Sequence, residues 1–420
     1  MTQVAELDLG DDHADITLHD SYVAGVPHAT FKRLREEDPV SFTEEADGSG
    51  FWSVTKHEDV LYVSRHSELF SSAEGIRIEQ MTPEECEARR TIMEMDPPRH
   101  SRYRRLVSRP FTPRSVASYE DAVRELARDI LGNVRGEERF DFVADVAREL
   151  PMRMLGRLLG LPDEDLDWLV ERGDALIGNT DSEFTDYVVD QVDTDDYRLL
   201  PFRSPVSLEL FDYADRALAA RRAEPTDDVL SALLKPTVDG DLLEDVQLKN
   251  FFTLMVAAGN DTTRYSMAAG TKAIAERPAL LTDLQRDPST ARPLVEEMLR
   301  WSSTTMHFRR TATQDTEIGG TRVRKGDRVV IWFVSADFDE DHFADPYVFD
   351  RDRSPNDHLA FGLQSPHLCL GAHLARLEMR VLFEELAAAV DTVELDGTPE
   401  RLRSNFISGY KRLPVRVAWR

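Results

Sequence analysis

The chain has 420 residues, 41 % hydrophobic and 31 % charged, with a formal net charge of −27 and two cysteines. That composition belongs to a globular protein: no apolar run could span a bilayer, and the excess negative charge argues against nucleic acid or an anionic membrane as partner. Two cysteines far apart in sequence build no disulfide framework, which predicts a reducing, cytoplasmic compartment.

No linker or repeat divides the chain, so a single domain over 1–420 is expected, with residues 1–20, acidic and without a basic or apolar leader, as a flexible lead-in. In "GSGFWSVTKHEDVLYVSR" a Gly-rich turn opens a strand. In "MDPPRHSRYRRLVSRPFTP", Pro97 and Pro98 can start a helix that sets His100 and Arg104 four apart on one face. Such a pair can hold a carboxylate, although a solvated basic face has the same pattern.

Helical periodicity then dominates, in "YEDAVRELARDILGNV", "VADVARELPMRMLGRLLGL", "FDYADRALAARRAE" and "TDDVLSALLKP". The polar stretch 179–204, "NTDSEFTDYVVDQVDTDDYRLLPFRS", is the expected mobile lid. A long helix is predicted over 241–278, and in its middle Ala258 and Gly259 precede Asp261 and Thr262. The small residues let a flat group approach the backbone, and a buried Asp-Thr pair is costly without partners or a task. The Thr hydroxyl can also bond back to the carbonyl four residues earlier. "LVEEMLRW" puts Glu297 and Arg300 three apart on a helix face, a pair worth only about 0.3 kcal/mol if exposed.

Strands return in "FRRTATQDTEIGGTRVRKGDRVVIWFVSAD", and "NFISGYKRLPVRVAW" reads as a short strand pair. Between them, "HLAFGLQSPHLCLGAHLAR" places Cys369 at or just before a strongly amphipathic helix, where the dipole and free N–H groups favour a thiolate. Zinc is poorly supported, because no second Cys is near and His367 and His373 lack finger spacing. The alternatives are a buried apolar thiol or a single thiolate on a haem iron. The fold class is mainly α with minor β-sheets, not a βαβ alternation.

Together these segments resemble the cytochrome P450 superfamily, from about residue 20 to the end. Its ligand loop, Phe-Gly-x-Gly-x-His-x-Cys-x-Gly, is matched by Phe361, Gly362, His367, Cys369 and Gly371, with one additional residue and with Gln364-Ser365-Pro366 in place of the second Gly. Its oxygen-activating helix is matched by Ala258 to Thr262, and its Glu-x-x-Arg by Glu297 and Arg300, completed by Arg353.

The resemblance implies the superfamily's fold, a helical body with a long helix over haem b, and a haem-thiolate monooxygenase with Cys369 as axial ligand. It implies His100, Arg104, Arg310 and His367 on the propionates, with Phe361, Gly371, Ala258 and Gly259 against the macrocycle. Glu297, Arg300 and Arg353 become a buried structural triad. Thr262 and Asp261 become the pair that orients dioxygen and feeds it protons. With Pro366 lacking an N–H, Leu370, Gly371 and Ala372 are the expected donors to the sulfur.

Substrate contacts are expected in the loop 71–81 and at Leu254, Ala257, Ala258, Thr305, Met306, Phe308, Phe406 and Ile407, a mostly apolar set suited to a hydrophobic small molecule. The wording is similar to actinobacterial members acting on steroids, terpenoids, branched lipids and alkanes. Steroid or terpenoid hydroxylation ranks first and fatty-acid or alkane terminal hydroxylation second; a non-catalytic haem sensor is the alternative of another class. Electrons are expected from a ferredoxin with its NAD(P)H reductase, docking on Arg104, Arg105, Arg109, Arg114, Arg376 and Arg380.

Overall fold

A computed structural model describes residues 7–45 and 48–420. The helices that build the body are α1 (Arg99–Val107), α2 (Glu120–Asn133), α3 (Glu149–Leu159), α4 (Leu166–Ile177), α5 (Val206–Ala223), α6 (Asp245–Glu276), α7 (Ala291–Ser302) and α8 (Ala372–Ala389). α6 is the axis of the molecule. It starts at a capping box between Glu244 and Gln247, runs 32 residues without a proline, and packs against α3, α4, α5 and α7. Apolar residues occur all round it, as a helix enclosed on every side requires.

The expected long pattern at 143–161 is divided: a wide turn at Val143–Ala147 precedes α3, which ends at Gly160 in the left-handed conformation (φ +66°). α7 ends similarly on Ser303, with φ +35°.

The sheets sit beside this body. β1 (Val40–Glu44), β2 (Gly50–Val54), β3 (Phe70–Ser71), β5 (His307–Ala312) and β8 (Arg328–Trp332) form one five-stranded sheet in the order β1-β2-β8-β5-β3, with β2 and β8 parallel and the other pairs antiparallel. β8 is buried along its whole length, which explains its unbroken apolar run VVIW after Arg328. β4 (Arg139–Asp141), β12 (Pro414–Trp419) and β9 (Val390–Leu395) make a second sheet, and β6 (Thr316–Ile318) with β7 (Thr321–Val323) a hairpin over Gly319 and Gly320.

The expected strand pair at the C-terminus is corrected. β11 (Tyr410–Arg412) pairs with β10 (Glu400–Arg401), while β12 pairs with β4 and β9, so the two neighbours in sequence belong to different sheets. Of the N-terminal segment 1–20, residues 1–6 lie outside the described residues. Ile16 and His19 are buried, Asn405 N–H donates to His19 Nδ1 at 3.1 Å, and Asp20 pairs with Arg403 at 2.5 Å. No helix among the described residues is long and apolar enough to cross a membrane.

Candidate active site

A cavity of about 370 Å³ lies between α6 and the loop that enters α8. That loop turns at two left-handed residues, Gly362 (φ +70°) and Gln364 (φ +58°), and Cys369 N–H closes it by donating to Phe361 O at 2.9 Å. Ser365 Oγ accepts His367 N–H at 3.1 Å. The additional residue is thus taken up inside a hydrogen-bonded turn, and Cys369 still arrives at the start of α8. Its side chain opens onto the cavity. Burial within the body pushes its thiol up, while Gly371 and Ala372 N–H, two of the three expected donors, and the Arg104 and Arg376 cations oppose that rise. Leu370 lines the cavity beside it.

The opposite wall is α6. Ala258 is exposed to the cavity, and Thr262 lines it with Oγ1 donating to Ala258 O at 3.1 Å. Gly259 has a further reason to be glycine: a Cβ there would lie 2.9 Å from Leu155 Cδ2 on α3. Asp261 is fully buried, its Oδ1 paired with Arg264 Nη2 at 2.5 Å. Arg264 Nη1 bonds Asp174 Oδ1 at 2.5 Å, and Asp174 Oδ2 meets Arg148 Nη2 at 3.2 Å. Burial pushes the Asp261 carboxyl up to about 7, with Arg264 pulling it back and Asp174 pushing further. Arg264, Asp174 and Arg148 were not foreseen; only Arg264 left a signal, three residues after Asp261 on the same helix.

On the cavity's border the structure brings His100, Arg104, Arg310 and His367 together. The rings of His100 and His367 lie 4.3 Å apart, and Arg104 donates to Leu368 O in the cysteine loop. Both ring nitrogens of His100 are buried without a partner, and Arg310 is buried with no ion pair among the described residues. Burial lowers His367 to about 2 and His100 to about 4, with neighbouring cations adding to the fall, and lowers Arg310 to about 10. A buried cluster of donors and cations lacking an anion is costly alone and fits a bound group with two carboxylates. Phe361 and Gly371 also line the cavity, and a Cβ on Gly371 would meet nothing within 4 Å, which leaves a flat face open there.

Behind the cysteine loop, Glu297 and Arg300 form a bidentate pair at 2.7 and 2.8 Å, and Arg353 Nε reaches Glu297 Oε2 at 3.2 Å. Arg300 Nη1 donates to Asp337 O at 2.7 Å, and the Arg353 guanidinium to Ala344, Asp345 and Val348 carbonyls. This ties α7 to the segment preceding the ligand loop.

Leu254, Ala257, Thr305, Phe308, Phe406 and Ile407 line the cavity as expected of them. Met306 does not. It follows Thr305 in extended chain, so its side chain points to the other side, into the cluster of Phe31, Phe51 and Trp332 under the large sheet. The expected docking cations are also reduced: Arg376 is forked onto Glu296 (2.7 and 2.9 Å), Arg380 bridges Glu120 and Glu384, and Arg104 is held by the loop carbonyl. Arg105, Arg109 and Arg114 remain exposed. Segment 179–204 holds short turns pinned by Arg403 to Asp190 at 2.7 Å and by Lys411 to Asp181 at 3.1 Å.

A lone cysteine at a helix start, facing a cavity under a long helix with an Asp-Thr pair and an anion-deficient border, defines a haem-thiolate oxygenase. The Cytochrome P450 family profile matches residues 202–388. The chain is 38 % identical over 405 residues to the methyl-branched lipid omega-hydroxylase of Mycobacterium tuberculosis, covering 93 % of this chain and 91 % of that protein. It is 35 % identical to the steroid C26-monooxygenase of Mycolicibacterium smegmatis, covering 96 % and 93 %. The structure of Mycobacterium marinum cytochrome P450 CYP268A2 in complex with pseudoionone superposes with a TM-score of 0.86 at 35 % identity, covering 99 % of this chain and all of that one. The chain belongs to the cytochrome P450 family. It is a haem-thiolate monooxygenase whose cofactor is haem b, and it draws electrons from an external donor.

Proposed function

We propose that the enzyme hydroxylates a methyl-branched hydrocarbon chain, as a steroid side chain or a branched lipid presents it. The observation that carries this is the cavity itself: Leu254, Ala257, Phe308, Phe406 and Ile407 make an apolar path to Cys369 and Thr262. Burial of such a chain contributes about 25 cal/mol per Å². The names of two relatives, a methyl-branched lipid hydroxylase and a steroid C26 hydroxylase, support the same class. A linear alkane would fill the same path with fewer contacts.

Bound haem, held by Cys369 and by His100, Arg104, Arg310 and His367, supplies the chemistry that activates O2 and inserts one oxygen atom into a C–H bond. The chain's own residues bring protons to that place. Thr262 Oγ1, anchored on Ala258 O, holds a donor at the cavity wall. Asp261, with a carboxyl near 7, recharges it, and Asp174 with Arg148, about one-third exposed, joins Asp261 to the surface. We infer that a ferredoxin, reduced by its NAD(P)H reductase, docks near Arg105, Arg109 and Arg114, because α1 abuts the cysteine loop through Arg104.

The test is a spectral titration of the ferric holoprotein with a branched fatty acid, a sterol, a monoterpenoid and a linear alkane. A saturable low-to-high-spin shift is expected, tightest with the branched acid or the sterol. A tighter shift with the linear alkane would overturn the substrate class.

A further inference from the structure

One cation in the cavity has no partner. Arg77, in the loop 72–81 after β3, lines the cavity with its guanidinium over the rings of Phe406 (4.4 Å) and Phe202 (5.3 Å). Among the described residues it makes neither hydrogen bond nor ion pair. Glu79 lines the same cavity but stands outside ion-pairing distance.

The placement is held firmly. Arg309 donates through Nη1 to Glu79 O at 2.8 Å and through Nε to Gly75 O at 3.3 Å, and its backbone N–H donates to Ile76 O at 2.7 Å. Arg328 Nη1 donates to Ile78 O at 3.2 Å. Ile78 is buried beneath the sheet, so its neighbours Arg77 and Glu79 are turned towards the cavity. From the other side Phe202 and Arg203 approach, two successive non-glycine residues in the left-handed region (φ +59° and +51°). That local strain sets Phe202 against Arg77 and leaves Arg203 at the lining, where it and Arg89 share Glu85. Arg89 Nε is buried without an acceptor. Arg203 also meets Asp195 at 3.4 Å, and Glu94 lines the cavity with Glu79, so the charges on this part of the wall are balanced in number while Arg77 alone of the three guanidinium groups has no carboxylate within ion-pairing distance among the described residues.

An enclosed cation stacked on aromatic rings, with its donors unused, is costly unless an acceptor arrives. We propose that Arg77 binds the carboxylate of an amphipathic substrate, so that the acid end is fixed at Arg77 while the apolar chain extends along the cavity. This rests on the hydroxylase reading above and narrows its substrate to a branched-chain acid. Glu79 and Glu94, both in the cavity lining, oppose the same carboxylate and limit its affinity.

The test uses the ferric holoprotein with 15-methylhexadecanoic acid, its methyl ester and the corresponding alcohol, read by spin-state shift and by calorimetry. The acid should bind about tenfold or more tightly than the ester, since a charged bidentate contact is lost in the ester. Arg77→Gln should abolish the preference while leaving the ester within about twofold, Arg77→Lys should retain part of it, and Glu79→Gln should tighten the acid alone. Equal affinity for acid and ester in the unaltered protein overturns the proposal, leaves the hydroxylase reading standing, and does not depend on any variant folding. If none of the three compounds binds, the branched-lipid reading falls and this proposal falls with it.

Discussion

Two buried acid-arginine pairs occupy the same spacing on two helices and end in opposite states. Glu297 and Arg300 on α7, and Asp261 and Arg264 on α6, are each three residues apart, and both carboxylates are fully buried. Glu297 Oε1 accepts from Arg300 and from Asp350 N–H at 2.9 Å; Oε2 accepts from Arg300, Arg353 and Asn356 Nδ2 at 3.2 Å. Asp261 Oδ1 has Arg264 and Asn260, but Oδ2 receives no hydrogen bond from a described residue, and Asp174 stands beside it. A saturated carboxylate holds structure. A half-saturated one remains able to take up and pass on a proton.

The largest effect is expected at the saturated pair. Arg300→Ala takes the bidentate cation from a fully buried Glu297, leaving it Arg353 and two neutral donors, and should cost about 3 kcal/mol. Urea unfolding with and without haem measures it; because no bond from this pair enters the cavity, the loss should be similar in both forms. A loss confined to the haem-loaded protein would show that the pair serves the cofactor and not the fold.

These pairs also show how far the sequence could be read. Cys369, the Asp261-Thr262 pair and Glu297-Arg300 were legible because each is a local pattern on one helix or loop. Their partners were not, because Asp174 meets Arg264 across 90 residues and Asn356 meets Glu297 across 59, distances over which one sequence carries no pairing signal. The same blindness made Arg376 look free, its counter-charge Glu296 lying on another helix, whereas for Arg380 only Glu120 was hidden: Glu384, four residues on along α8, was readable in the sequence. Met306 was a different error. Alternation in extended chain separates it from Thr305, and that rule is readable without a structure. The helical body and its minor sheets followed from periodicity, whereas the division of β11 and β12 between two sheets depends on strands far away.

The second effect belongs to the half-saturated pair and should vary with pH. Asp261→Asn keeps the shape and removes the transferable proton, so turnover should fall by about 10²-fold, equivalent to about 2.7 kcal/mol of barrier. The carboxyl is pushed up to about 7, so its proton-carrying form dominates below that pH and is depleted above it. The ratio of wild-type to variant turnover should therefore shrink as pH rises through 7. A ratio independent of pH between about 5.5 and 8.5 would remove Asp261 from proton delivery and leave it a structural counterpart of Glu297.

The smallest effect returns to Glu297 and tests what saturation means. Asn356→Ala removes one donor from Oε2, which keeps Arg300 at 2.8 Å and Arg353 at 3.2 Å. A carboxylate with donors to spare should lose only the net worth of one hydrogen bond, about 1 kcal/mol, and the Asn356 Oδ1 atom that goes with it is itself buried without a partner. Thermal unfolding of this variant beside Arg300→Ala places both on one scale. If the two losses were equal, the donors around Glu297 would act as one indivisible unit, and the contrast with Asp261 would then lie in the geometry of the whole shell and not in the number of bonds each carboxylate receives.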